Sequence, residues 1–91
     1  MTYEEEIHPH REKIDKLNDE IVEKIVERVE SALAIGRIKK KHGKQVVDVE
    51  REQAILDMMK EKASENGLDP VSVERVFREI MRLCVEAERE I

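Results

Sequence analysis

Five charged residues occupy helical positions that the surrounding pattern reserves for apolar side chains: Arg11, Arg28, Lys39, Glu52 and Glu88. From Ile14 to Ile35 the apolar residues follow one another at intervals of three and four, which marks one face of a long helix. At about 100° per residue, the three cations project from that face, and the two acids lie on the apolar faces of later segments. Unpaired charges that face a core are costly. The pattern therefore predicts a small, polyanionic, buried ligand that compensates them.

Only two of the three cations can meet on one small molecule within a single chain. Arg28 and Lys39 are 11 residues apart, about three helical turns, so they share a face with their backbones about 16 Å apart. Their long side chains can bend toward one ligand. Arg11 precedes Arg28 by 17 residues, about 25 Å along the same helix. Arg11 could therefore reach such a site only in a partner subunit, within an antiparallel or crossed dimer.

Later segments add polar groups at helical spacing. Asp48, Arg51 and Glu52 stand at positions i, i+3 and i+4 and form one polar cluster. Cys84 and Glu88 are i and i+4 neighbours that face the same core. Glu52 and Glu88 are thus among the five charges that the expected ligand must compensate.

Three helices must position these residues, so the predicted fold class is all-α. The first is expected to begin near Pro9, a residue acceptable in an opening turn, and to run to about Lys41. After a short loop, Asp48 is a plausible N-cap for a second helix that ends at Asn66-Gly67. Asp69-Pro70 then opens a third helix that continues to the C-terminus.

The first helix is too long for a compact domain. Some 33 residues extend about 48 Å, whereas a globule of 91 residues has a diameter of roughly 30 Å. The apolar face continues over the whole length, so another chain must cover the overhang. We therefore expect an intertwined helical homodimer, and two-fold symmetry is the commonest way to form one.

Composition limits the class of protein. We expect residues 1–91 to form a single domain, with 43% charged and only 2% aromatic residues. The net charge of −5 argues against non-specific binding to nucleic acid. No apolar run approaches the roughly 20 residues that span a membrane, and the N-terminus does not resemble a secretion signal. One cysteine, Cys84, fits a reducing compartment, so a cytoplasmic location is expected.

Four spaced motifs together resemble the signature of the all-helical class of chorismate mutases, in the single-domain, stand-alone type: Arg11-Glu12-Lys13-Ile14-Asp15, Glu27-Arg28, Gly36-x-x-Lys39 and Asp48-x-x-Arg51-Glu52. The resemblance covers nearly the whole chain, from about Arg11 to Glu88. It implies an intertwined homodimer with two active sites. It also implies conversion of chorismate to prephenate in the shikimate pathway of aromatic amino-acid biosynthesis.

The resemblance assigns roles to the cations. Arg28 and Arg11 of the partner subunit would hold the two carboxylates of chorismate, and Lys39 would bridge a carboxylate and the ether oxygen. A Claisen rearrangement breaks a C–O bond and forms a C–C bond in one concerted step, so no nucleophile, metal or cofactor is expected. A reactive conformer held in place and donors aimed at the ether oxygen would supply the rate enhancement.

The resemblance also assigns roles to the remaining polar residues, with two departures from the commoner family pattern. Glu52, with the backbone near Asp48, would bind the ring hydroxyl, and Arg51 would support the polar wall. Cys84 stands where serine is frequent, and a thiol is a weaker donor. Glu88 stands where many members have glutamine. An ionised glutamate cannot donate to the ether oxygen, whereas a protonated one can, so activity is expected to decline as the pH rises through the titration of Glu88.

Simpler interpretations exist for most of these residues. Arg28 and Lys39 could be long stems that cover apolar surface, Asp48 could serve only as a helix cap, and Arg51 could pair with a carboxylate. The basic run from Arg37 to Lys44 could suggest a nucleic-acid patch, although charge complementation at a helix C-terminus explains most of it.

Three functions other than chorismate mutase also fit these residues. An isochorismate–pyruvate lyase shares the architecture and a similar set of cations. A non-catalytic dimerisation module would use its buried charges to set the register of the chains. A regulatory module fused to a biosynthetic enzyme is the third, and we expect a stand-alone enzyme instead.

Overall fold

The computed structural model describes all 91 residues and contains three helices and no strand. Helix α1 spans Tyr3–Lys41, α2 spans Val49–Glu65 and α3 spans Pro70–Arg89. The all-α, three-helix expectation is confirmed. None of the helices is both long enough and apolar enough to cross a bilayer.

The predicted start of the first helix is wrong by six residues, because α1 begins at Tyr3 and not near Pro9. The side chain of Thr2 caps the helix by accepting a hydrogen bond from the backbone N–H of Glu5 at 3.2 Å. Three acidic residues in the first turn favour this start, because they complement the helix dipole. Pro9 therefore lies inside the helix, where it lacks the N–H that would donate to the carbonyl of Glu5 and its ring crowds that carbonyl.

The remaining helix ends follow the sequence signals. Asp48 caps α2 by accepting from the backbone N–H of Arg51 at 3.0 Å. Asp69 caps α3 by accepting from the N–H of Ser72 at 3.0 Å and from its hydroxyl at 2.7 Å. Gly67, which follows α2, adopts a positive φ of 73° that favours glycine. The third helix stops at Arg89, two residues before the expected end, because Glu90 forms its C-cap.

The third helix is the centre of the packing, since it contacts both α1 and α2, which do not contact each other. Only six residues are buried: Gly36, Leu56, Ala63, Met81, Cys84 and Glu88. An ion pair between Lys60 of α2 and Glu74 of α3, at 3.1 Å, ties the two shorter helices together. The core of one chain is therefore small and centred on the inner face of α3.

The chain is elongated, with extents of 62 × 27 × 14 Å and a radius of gyration of 17.3 Å. A compact domain of this length would have a radius near 12 Å. The N-terminal half of α1 leaves its apolar face in solvent, with Ile14 at 54% and Ile21 at 55% exposure. The predicted overhang of the first helix is thus present.

Candidate active site

One cavity of about 380 Å³ lies among the three helices and the loop that joins α1 to α2. Its volume falls in the range of sites for small molecules, roughly 300–1,000 Å³. Seven of the eight site residues predicted from the sequence line it: Arg28, Lys39, Asp48, Arg51, Glu52, Cys84 and Glu88. The helical spacing thus brings together residues from three separate segments of the chain.

Arg28 joins the first and third helices at the wall of this cavity. Its Nη1 donates a hydrogen bond to Sγ of Cys84, at 3.0 Å. Arg28 is half-buried and Cys84 is buried. A guanidinium has five N–H donors, so this single contact fixes its orientation and leaves most of its donors available to a ligand.

Lys39 is positioned by the loop that follows its own helix. Its Nζ donates to the backbone carbonyl of Val46, and the side chain is half-buried. An ammonium group has three N–H donors, so two of them remain. The loop between α1 and α2 therefore holds the ammonium group at the cavity wall.

The start of α2 supplies the polar cluster that the sequence predicted. Asp48 serves as the N-cap, so that interpretation of the residue is confirmed. Arg51 and Glu52 follow in the first turn and line the same cavity. The positive end of the helix dipole also lies here, which favours anionic groups nearby.

Glu88 is the most enclosed charged residue of the chain. It is 8% exposed, and it takes part in none of the chain's seven ion pairs. No fully buried side-chain oxygen or nitrogen lacks a hydrogen-bond partner, so the carboxylate oxygens of Glu88 keep some solvent access, and the residue lines the cavity. A carboxylate in this position is suited to contact a bound molecule.

The other charged groups of the cavity are also free of ion pairs. The seven ion pairs of the chain include none of the charged cavity residues: Arg28, Lys39, Asp48, Arg51, Glu52 and Glu88. Arg51 therefore pairs with no carboxylate of its own chain. The site contains three cations and three acids that internal ion pairing does not neutralise.

Arg11 lies outside the cavity, as its position along the helix required. It is exposed, and its Nη1 contacts Oε2 of Glu4 at 3.4 Å. No part of its side chain lines the site formed by its own chain.

Sequence reasoning missed three residues that line the cavity, namely Ser31, Val46 and Val85. Ser31 follows Arg28 by three residues, so the helical spacing could have identified it. Val85 is three residues before Glu88 and could have been found in the same way. Val46 contributes from the loop, where no periodicity signals a contact. No three His, Cys, Asp or Glu side chains come together as a group that could hold a metal ion.

Comparison with known proteins agrees with the geometry. The sequence model of one family, chorismate mutase type II, matches residues 10–89. The chain is 37% identical over its whole length to a bifunctional chorismate mutase/prephenate dehydratase of Neisseria gonorrhoeae, of which it covers 24%. It is also 30% identical, over 90% of its length, to a T-protein of Haemophilus influenzae, of which it covers 22%.

A third relative is a T-protein of Enterobacter agglomerans, 26% identical over 88% of the chain and 21% of that protein. The chain thus spans between a fifth and a quarter of the length of the curated relatives that it matches.

Proposed function

Since the chain belongs to the chorismate mutase type II family, we propose that it catalyses the Claisen rearrangement of chorismate to prephenate in aromatic amino-acid biosynthesis. The observation that carries this proposal is the set of unpaired charges around one cavity, Arg28, Lys39, Arg51, Glu52 and Glu88. Glu88 is buried and Arg28, Lys39 and Glu52 are partly buried, which would be unfavourable without a ligand of complementary charge.

The cations match the two carboxylates of chorismate. Arg28, whose guanidinium is held at Cys84, would bind one carboxylate through its free donors. Lys39, held by the carbonyl of Val46, would bridge the other carboxylate and the ether oxygen. Because both side chains are already oriented in the protein, little ordering remains when the substrate binds.

The rate enhancement would come from conformational restraint and electrostatics. The cavity would hold the enolpyruvyl group over the ring, which raises the population of the reactive conformer. Negative charge grows on the ether oxygen as the C–O bond breaks, and the ammonium of Lys39 would stabilise it. A protonated Glu88 would donate a second hydrogen bond to the same oxygen. The concerted reaction requires neither a metal nor a cofactor.

The polar cluster at the start of α2 would orient the ring. Glu52 would accept a hydrogen bond from the ring hydroxyl, together with the backbone near Asp48, and Arg51 would support this wall of the site. Cys84 would act mainly through Arg28, since its sulfur already accepts from the guanidinium.

We also propose that the active molecule is an intertwined homodimer. The exposed apolar face of α1 and the small core of one chain support this proposal, as does the 62 Å length of the chain. In such a dimer, Arg11 of the partner subunit would complete the site by binding a carboxylate. We take residues 1–91 as one catalytic domain, and a reducing cytoplasm as its compartment because Cys84 is its single cysteine.

The direct test is an assay of chorismate consumption with identification of the product. We expect prephenate to form, and we expect Lys39→Ala to lose on the order of 10²–10³-fold in kcat because a donor to the developing charge is removed. Arg28→Ala should lower kcat/KM strongly by loss of a carboxylate contact. Lys62→Ala, which removes an exposed cation from the last turn of α2, is the matched control and should retain full activity.

Two results of this assay would contradict the proposal. The first is a wild-type protein that consumes chorismate no faster than chorismate rearranges spontaneously. The second is release of salicylate and pyruvate from isochorismate without any prephenate from chorismate, which would identify a lyase.

A further inference from the structure

Gly36 is the one buried residue of α1, and the last turns of α3 pack directly against it. A Cβ at this position would lie 3.1 Å from Cγ of Glu88, 3.1 Å from Cδ1 of Ile91 and 3.3 Å from Cβ of Glu88. Ordinary contacts of a Cβ fall between 3.4 and 4 Å. Glycine is unfavourable in the interior of a helix relative to alanine, so this close approach gives a physical reason for its presence.

Rotation of a side chain cannot relieve the contact with Cβ of Glu88. Cδ1 of Ile91 is the far end of a flexible side chain and can move aside. Cβ of Glu88 is fixed to the backbone of α3, so relief there requires a shift of the helix by a few tenths of an ångström. Any side chain at position 36 would therefore move Glu88 away from α1.

Gly36 stands one helical turn before Lys39, on the helix that carries both Arg28 and Lys39. A second contact holds the same end of α3 in place, because Nζ of Lys40 donates to the backbone carbonyl of Ile91 at 3.2 Å. The distance between α1 and α3 at this level sets where the carboxyl group of Glu88 stands in the cavity relative to Lys39.

We propose that Gly36 is a positioning residue for the mutase reaction, which acts by letting α3 approach closely enough to place the Glu88 carboxyl at the ether oxygen beside Lys39. This inference rests on the proposed function. Gly36 itself would not touch the substrate. Its effect on catalysis passes entirely through Glu88.

A double-mutant cycle tests the proposal. Gly36→Ala, Glu88→Ala and the double variant are compared by kcat, KM and the midpoint of thermal unfolding. We expect Gly36→Ala to lower kcat on the order of tenfold, with a smaller change in KM, because a small misplacement of a catalytic group is costly. In the Glu88→Ala background the same substitution should cause no further loss of kcat.

A matched variant separates the two contacts. Gly36→Ala combined with Ile91→Ala removes the other close atom, and we expect it to leave kcat as low as in Gly36→Ala alone. Recovery of wild-type kcat in this variant would show that Ile91 is the important neighbour and would overturn the proposal.

Other outcomes are equally decisive. Wild-type kcat in Gly36→Ala, or an equal loss in both backgrounds, would overturn the positioning role while the proposed function stands. A loss of folding in Gly36→Ala, seen as a collapse of the thermal unfolding transition, would show a structural role only and would also overturn it. A wild-type protein without mutase activity would overturn the proposed function, and the inference with it.

Discussion

At the scale of single residues, the proposed function depends on charges that line one cavity without an ion partner, above all Arg28, Lys39 and Glu88. A period of 3.6 residues is enough to predict that Arg28 and Lys39 share a face, and both line the cavity. The same arithmetic predicted that Arg11 stays outside the site of its own chain, where it contacts Glu4. The contact of Gly36 with Glu88 could not be predicted, because it depends on how closely two helices pack and not on spacing along either one.

The carboxyl group of Glu88 is proposed to donate a hydrogen bond to the ether oxygen, and its substitutions test that role. Glu88→Gln keeps the shape of the side chain and always donates, so we expect kcat at least as high as in the wild type. Glu88→Ala removes the donor and should lower kcat on the order of 10²-fold. Steady-state kcat of the two variants measures the difference, and an equal loss in both would contradict this role.

At the scale of the helices, caps were the most predictable features and the start of α1 was the least. Asp48 and Asp69 cap their helices as their positions before an apolar-periodic segment indicated. Pro9 was wrongly given the role of a first-turn residue, because the cap at Thr2 and the acidic turn that follows it are the stronger signals. The hydrogen bond from Lys39 ends at the carbonyl of Val46, which lies in a loop, so no helical periodicity predicts it.

The ion pair between α2 and α3 makes their packing sensitive to acid. The pKa of Glu74 lies below its ordinary value of 4.5 because two cations bind its carboxylate. The larger effect comes from Nζ of Lys60, 3.1 Å from Oε2, and the next from Nη2 of Arg78, 2.9 Å from Oε1. The folded chain thus binds this proton more weakly than the unfolded chain. The resulting stability is present above the ordinary pKa and is lost as the pH falls through the lowered one.

We therefore expect Glu74→Gln to lower the thermal midpoint at neutral pH and to have a smaller effect at about pH 3. Thermal unfolding at both values measures this difference. Glu79→Gln is the matched control, because Glu79 is well exposed and pairs only with Arg82 of its own helix, and it should change little at either pH. An equal destabilisation by Glu74→Gln at both values would argue against the ion pair as its source.

At the scale of the whole molecule, the proposed homodimer is supported by how little surface a single chain buries. Its apolar face on α1 is exposed over several turns, and its core contains only six buried residues. The sequence predicted the overhang from the length of the first helix and its continuous apolar face, since about 48 Å of helix cannot fit a compact domain of this size. How a partner subunit of the proposed homodimer would lie on that face depends on the packing of many side chains, which no spacing rule specifies.

The central claim is that charges set in apolar helix faces bind a dianionic substrate at the junction of two chains, and mixing two inactive variants tests it most directly. Arg11→Ala and Arg28→Ala should each be nearly inactive alone, because every site in either homodimer lacks one carboxylate ligand.

After the two variants are unfolded and refolded together, half of the dimers should contain one of each chain. Each such dimer has one intact site, formed by the native Arg28 of one subunit and the native Arg11 of the other. We predict that the mixture regains about a quarter of the wild-type rate of prephenate formation. A mixture that remains as inactive as its components, although size and mass measurements show mixed dimers, would contradict the claim.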